Sequence, residues 1–218
     1  MPANDARALP EATLNRLTRY LRALRALHVR GIERTSSGVL ATEAGVNPAI
    51  LRKDLSLLGS YGTRGVGYVV KELADHIERT MGLDHPWNVA IIGAGNLGRA
   101  LSGYGGFSNR GFNVKALLDS SADLIGTPVG KLRVQPVGSL SRVVEDLEIN
   151  MAVLAIPSRE AQQLVDELVE AGVRNILSFA QGALTVPDTV SLRRVDLSTE
   201  LQILAYHAVQ RSEEGTER

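Results

Sequence analysis

Apolar residues set the rhythm of the N-terminal part of the chain. Leu14, Leu17, Leu21, Leu24 and Leu27 recur at three- and four-residue steps, which draws one stripe and predicts a helix over Thr13–His28. Pro10 suits the entry to that helix, Gly31 ends it, and Arg16, Arg19, Arg22 and Arg25 lie off the stripe. Thr35-Ser36-Ser37-Gly38 offers hydroxyl caps to a short second helix through Ala44, which Gly45 stops. Asn47-Pro48 is a cap followed by proline at the first helical position, and it opens a third helix to about Leu58. That helix turns Leu51, Leu55 and Leu58 inward and leaves Arg52, Lys53 and Ser56 outside. Two short helices hinged at Gly45-Val46-Asn47 match a helix-turn-helix. The glycines of Tyr61-Gly62-Thr63-Arg64-Gly65-Val66-Gly67-Tyr68 permit a tight hairpin with Arg64 near its tip, the shape of a wing. A fourth helix over Val69–Met81 places Val70, Leu73, Ala74 and Ile77 on one side, and Gly82-Leu83-Asp84-His85-Pro86 breaks the pattern as a linker.

From Trp87 the period changes. Short apolar strands alternate with helices: Asn88–Ile92, Val114–Asp119, a strand near Val134, Met151–Ile156, Asn175–Phe179 and one near Leu192–Val195. Helices are expected from the glycine loop to about Gly103, around Ser139–Leu147 and over Arg159–Ala171. This alternation predicts an α/β fold, a doubly wound parallel sheet of the Rossmann type. A last helix runs from about Ser198 to Val209, and Ser212 to Arg218 reads as a disordered tail. The expected organisation is a winged-helix module over 1–82, a nucleotide-binding sheet over 87–196, a C-terminal helix over 197–211 and the tail over 212–218.

Charge sharpens that division. The chain of 218 residues is neutral overall, yet residues 1–70 hold ten Lys/Arg against five Asp/Glu, and the remainder fourteen against nineteen. A basic module joined to an acidic one points to an anion-seeking end, with nucleic acid the obvious candidate, although by charge alone a basic solvated face is the commoner explanation; for the module as a whole the alternative to DNA binding is a small helical cap on an enzyme. Asn47, Arg52, Lys53, Ser56 and Arg64 are the candidate DNA contacts, side-chain types that meet phosphates and base edges. The absence of cysteine excludes a disulfide framework, a thiolate zinc site and a cysteine nucleophile, and fits a cytoplasmic location. No apolar run is long enough for a membrane span, and Met1-Pro2-Ala3-Asn4-Asp5 does not open like a signal peptide.

The chemistry concentrates in Gly93-Ala94-Gly95-Asn96-Leu97-Gly98, which follows a strand and opens a helix. Gly93 allows a sharp turn, Gly95 clears the approach of a pyrophosphate, and Gly98 allows close packing, while free N–H groups at the helix start face the phosphates. Asp119 ends the next strand and would accept hydrogen bonds from the adenosine ribose. A carboxylate there repels a 2′-phosphate, which favours NAD(H) over NADP(H). Hydride transfer usually needs a general acid or base as well. His28, His76, His85 and His207 all fall away from the strand ends of the nucleotide fold, no metal-ligand spacing is apparent, and no catalytic residue is assigned. The cofactor is therefore expected to be sensed rather than consumed.

Four stretches together resemble the Rex family of bacterial NADH/NAD+-responsive transcriptional repressors: Leu51-Arg52-Lys53-Asp54-Leu55-Ser56, Gly62–Tyr68, Ile92–Gly98 and Val195-Asp196-Leu197-Ser198-Thr199-Glu200-Leu201. The resemblance implies a homodimer that exchanges its C-terminal helix between subunits, binds an inverted-repeat operator upstream of respiratory and fermentative genes, and is released by NADH. It also implies a switch network on Arg16, Tyr104 and Asp196, and places Pro157 at a strand end near the nicotinamide. Where relatives often carry Asn-Phe-Ala/Thr-Pro, this chain has Ser178-Phe179-Ala180-Gln181. A small NAD-dependent dehydrogenase with an accessory domain and a CoA-binding Rossmann protein are the competing readings.

Overall fold

The structure is a computed structural model and describes residues 9–59 and 67–216, with side chains to Arg211. It divides between His85 and Pro86 into two compact units.

The first unit contains α1 (Glu11–Val29), β1 (Arg34–Thr35), α2 (Ser37–Ala44), α3 (Pro48–Leu58), β2 (Tyr68–Val69) and α4 (Val70–Thr80). Local chemistry sets these boundaries. The Ser36 hydroxyl accepts from Val39 N at 3.2 Å to start α2, and Gly45, left-handed at φ 65°, ends it. Asn47 Oδ1 accepts from Ala49 N at 2.7 Å, and Pro48 takes the first helical position of α3. Both α2 and α4 pack on α1, so α1 buries a face wider than one leucine stripe. Thr13, Tyr20 and Ala23 join Leu17, Leu21, Leu24 and Leu27 inside, whereas Leu14 is only half-buried. Similarly, α3 buries Asp54 with Leu51 and Leu55 and leaves Leu58 half-buried. β1 pairs antiparallel with β2, Thr35 opposite Tyr68. The expected wing lies outside the described residues except for Gly67 and Tyr68, and Arg64 lies outside with it.

The second unit runs β3 (Trp87–Ile92), α5 (Asn96–Ser102), α6 (Gly105–Ser108), β4 (Phe112–Asp119), β5 (Pro128–Val129), β6 (Leu132–Pro136), α7 (Leu140–Asp146), β7 (Met151–Leu154), α8 (Ala161–Glu170), β8 (Asn175–Ser178), β9 (Ser191–Arg194) and α9 (Leu197–Thr216). The sheet order is β5-β6-β4-β3-β7-β8-β9, and every pairing is parallel except β5 with β6. β3 alternates between two buried faces: Ala90 and Ile92 pack with the α7 and α8 residues Val144 and Leu168, while Val89 and Ile91 join Leu117 and Val153 on the other side. Burial on both faces is why Val89–Ile92 is uninterruptedly apolar. From β3 the chain winds outward through β4 and β6, then returns across β3 to β7 and winds the other way. The reversal opens a crevice at the carboxyl ends of β3 and β7, where doubly wound sheets take their ligands.

One expectation is overturned. The stretch from Ser212, read as a disordered tail, continues α9 in the helix to Thr216. Once Asp196 has capped the first turn, each further residue costs little, and Gln210, Glu213 and Glu214 are good helix formers.

Candidate nucleotide cleft and nucleic-acid face

The glycine loop joins β3 to α5 at the switch point. Gly93 has φ +102°, and a Cβ there would meet the Ala155 carbonyl carbon at 2.9 Å and Ile156 Cγ2 at 2.8 Å. A side chain is excluded by both backbone conformation and the neighbouring strand. A Cβ on Gly98 would fall on the Gly93 carbonyl, so this glycine lets the first turn of α5 close over the loop itself, with Ile91 of β3 just beyond. Gly95 differs, because nothing of the protein lies within 4 Å of the Cβ it lacks. The space it leaves faces a cleft.

Asp119, at the end of β4, ties the loop to the next strand. Its Oδ2 accepts from Ala94 N at 2.6 Å and its Oδ1 from Ser121 N at 2.8 Å. The carboxylate is thereby fixed in place with lone pairs left over for a ligand. Gly93, Gly95, Asp119 and Pro157 line one cleft of about 520 Å³. The other predicted members of the loop do not line it: Ala94 and Gly98 are buried, and Asn96 and Leu97 are exposed. Sequence reasoning missed Leu124, Val137 and Leu164, which supply apolar walls, and Gln163 and Glu167, which are joined by a 2.9 Å hydrogen bond on the same cleft. They come from three separate segments with no shared spacing, so only the topology brings them together. An apolar slot beside a fixed carboxylate and an open glycine fits an adenosine dinucleotide.

In the first unit, α3 turns Arg52, Lys53 and Ser56 outward, all exposed. Arg52 Nη1 donates to Ser37 Oγ at 3.2 Å, which steadies the guanidinium against the start of α2. Ser56 Oγ donates to Lys53 O at 2.7 Å, and the Asn47 side-chain oxygen is committed to its cap. Ile50 is 44% exposed on α3 and Val39 49% exposed on α2, apolar side chains outside the buried stripes. A thymine methyl is the base feature that such side chains meet.

Residues 84–182 match a family model described as "CoA binding domain", and residues 8–56 one described as "Putative DNA-binding protein N-terminus". The redox-sensing transcriptional repressor Rex of Streptomyces griseus is 53% identical over 215 residues, covering 99% of this chain and 85% of that one. Its namesake in Desulforamulus reducens is 44% identical, covering 91% of this chain and 95% of that one. The chain belongs to the Rex family. A crystal structure of the Rex-family repressor RSP with NAD+ and operator DNA has a TM-score of 0.89 at 35% identity, covering 96% of this chain and 97% of that one. RSP with NADH has a TM-score of 0.84 at 33% identity, covering 97% and 100%.

In this Rex chain the three residues assigned to a switch have separate partners. Arg16 forks onto Asp54, Nε to Oδ2 at 2.6 Å and Nη2 to Oδ1 at 2.8 Å. Asp196 caps α9, accepting from Ser198 N at 2.9 Å, from the Ser198 hydroxyl, and from Thr199 Oγ1 at 3.1 Å. Those bonds, the Ser198 hydroxyl foremost, hold the Asp196 carboxyl below the ordinary range. Tyr104 is exposed and stacks edge-on to Phe107 with centroids 5.2 Å apart. No hydrogen bond joins Tyr104 to Asp196 among the described residues. Ser178, the first residue of the departure from the usual Rex pattern, is fully buried, and its Oγ accepts from Ala180 N at 3.1 Å. Gln181, the last, lines a second cleft of about 400 Å³ together with Arg194 and Asp196. Among the described residues no cluster of His, Asp or Glu is arranged to hold a metal, and no helix is long and apolar enough to cross a membrane.

Proposed function

We propose that this Rex protein represses transcription in the cytoplasm as a homodimer, binding an inverted-repeat operator and leaving it as the NADH/NAD+ ratio rises. The reading is carried by likeness, over nearly its whole length, to a repressor solved with NAD+ and operator DNA. The exposed basic face of α3 supports the DNA contact, and the cleft beside Asp119 supports NAD(H). Gly95 leaves the phosphates room, Asp119 takes the ribose hydroxyls, and Leu124, Val137 and Leu164 enclose the base. Bound dinucleotide supplies one signal, the difference between a neutral dihydronicotinamide and a positively charged nicotinamide ring.

Dimerisation is supported by α9. Leu197, Leu201, Leu204, Tyr206 and Val209 are between 56% and 66% exposed, a run of large apolar side chains open to solvent along α9. Such a surface marks an interface, and exchange of α9 between subunits would bury it. A ligand moves an equilibrium only through its differential affinity for the two states. The proposed switch is an exchange of partners: when NADH is bound, Asp196 gives up hydroxyl bonds on α9 and Arg16 gives up its fork on Asp54 so that the two pair, with Tyr104 trading between them. Asp196→Ala should fold, dimerise and bind NADH yet stay on operator at NADH levels that release wild type. Normal NADH-driven release of Asp196→Ala would contradict this switch and leave the repressor assignment standing.

A further inference from the structure

Asp54 is an acid in the middle of the helix that should face DNA. An outward carboxylate there would repel phosphates, but this one is 2% exposed, the only charged residue among the buried positions of the described chain. Four hydrogen bonds reach it, and all come from α1. Arg16 makes the two-pronged pair at 2.6 and 2.8 Å, Tyr20 donates its hydroxyl to Oδ2 at 2.8 Å, and Thr13 donates to Oδ1 at 3.1 Å. Arg16 Nη2 also reaches Thr13 Oγ1 at 3.2 Å, which closes the network. Tyr20 is fully buried and Thr13 nearly so. Burial pushes the Asp54 carboxyl up, but the bonds from Arg16, Tyr20 and Thr13 outweigh it, and the group stays ionised.

Two further directional bonds reach α3, from Arg52 Nη1 to Ser37 Oγ at 3.2 Å on its exposed face and between His76 and the Leu58 backbone at its C-terminal end, and the rest of its attachment is apolar. Leu51 and Leu55 pack into the core of the first unit. Apolar contact is non-directional and tolerates a small roll of the helix about its own axis. A forked guanidinium–carboxylate pair is directional and does not. Along a helix each residue turns by about 100°, so fixing Asp54 inward fixes where Arg52, Lys53 and Ser56 point. Reading base edges requires side chains held to roughly half an ångström, whereas contacts to phosphate follow the charge.

We infer that Asp54 is a positioning residue for operator discrimination: through Arg16, Tyr20 and Thr13 it locks the roll of α3 against α1. This rests on the assignment of α3 as the DNA-reading helix.

The test compares two duplexes, an inverted-repeat operator selected from a random pool with the wild-type protein and a scrambled duplex of the same length. Selection of an operator by wild type checks the DNA reading itself; failure there is failure of that reading, whatever Asp54 does. Asp54→Asn is then measured at a temperature where circular dichroism shows both proteins fully folded. The expected result is an operator affinity lowered about 10- to 100-fold with scrambled-duplex affinity within about threefold of wild type, so the discrimination ratio falls. A stabilising role alone would lower the melting temperature and leave that ratio unchanged, which overturns the inference. If Asp54→Asn does not fold, Arg16→Lys carries the same test in the absence of nucleotide, because it keeps the positive charge beside Asp54 and removes the two-pronged geometry. A lowered ratio supports the lock, and a wild-type ratio overturns it.

Discussion

Asp119→Ala separates the nucleotide site from the DNA surface. The carboxylate receives Ala94 N at 2.6 Å and Ser121 N at 2.8 Å, which leaves acceptor capacity for two ribose hydroxyls. A hydrogen bond to a charged group contributes about 1.5–3 kcal/mol, so losing two at the low end costs about 3 kcal/mol, or roughly 10²-fold in NADH affinity. The figure is a lower bound on the local disturbance, because the loop also loses the anchor of Ala94. Asp119→Asn should fall between the two proteins: its single carbonyl can replace one oxygen, while its NH₂ group faces the other backbone donor. Titrating each variant with NADH and NADPH by nucleotide fluorescence measures both affinity and selectivity. Discrimination against NADPH should shrink in Asp119→Ala, since the charge that repels a 2′-phosphate is gone. An Asp119→Ala protein that binds NADH as tightly as wild type would refute the assignment of this acid to the ribose.

The other sites make equally direct demands. Arg52→Ala or Lys53→Ala should each lower operator affinity by about 1–3 kcal/mol if the side chain reads a base edge, and loss of a phosphate contact should reduce the slope of log affinity against log salt by about one; anisotropy titrations at several salt concentrations check both. If α9 forms the proposed dimer interface, Leu201→Asp with Leu204→Asp should give a monomer in light scattering coupled to gel filtration where wild type gives a dimer, because two charges cannot be buried there unpaired. Asp54, whose carboxyl is held below the ordinary range, should contribute stability that is full above about pH 5 and lost as pH falls through its lowered folded value. The difference in denaturant midpoint between wild type and Asp54→Asn should therefore shrink below about pH 4, and a difference that grows on acidification would contradict the pairing with Arg16.

Much of the architecture is legible in the chain because it rests on local rules. The bounds of α3 follow from Asn47, Pro48 and the apolar steps to Leu58, and the strand-to-helix glycine loop announces the switch point of the sheet. The glycines are legible for unequal reasons: Gly93 is demanded by its positive φ and Gly98 by contact within the loop, whereas Gly95 meets no protein atom and is legible only through its place in the motif at the cleft. What sequence conceals is convergence. Leu124, Val137 and Leu164 have no common spacing, and meet because the crossover from β6 to β7 returns the chain past β3. The partners of Arg16 were equally hidden. Its position off the leucine stripe names no partner, whereas the second packing surface of α1 draws Thr13, Arg16 and Tyr20 toward Asp54. The short β5 escaped because two residues carry no period, and the extension of α9 escaped because polar helix ends read like tails.

The central claim is that one chain couples the redox state of its nucleotide to its hold on DNA. It is tested most directly by anisotropy of a labelled inverted-repeat operator duplex titrated with NADH at a fixed, saturating NAD+ concentration. The account predicts a retained complex with NAD+ alone, progressive and complete release as NADH rises, and a midpoint shifted to higher NADH in Asp119→Ala. An operator complex that ignores the NADH/NAD+ ratio while the protein demonstrably binds NADH would contradict it.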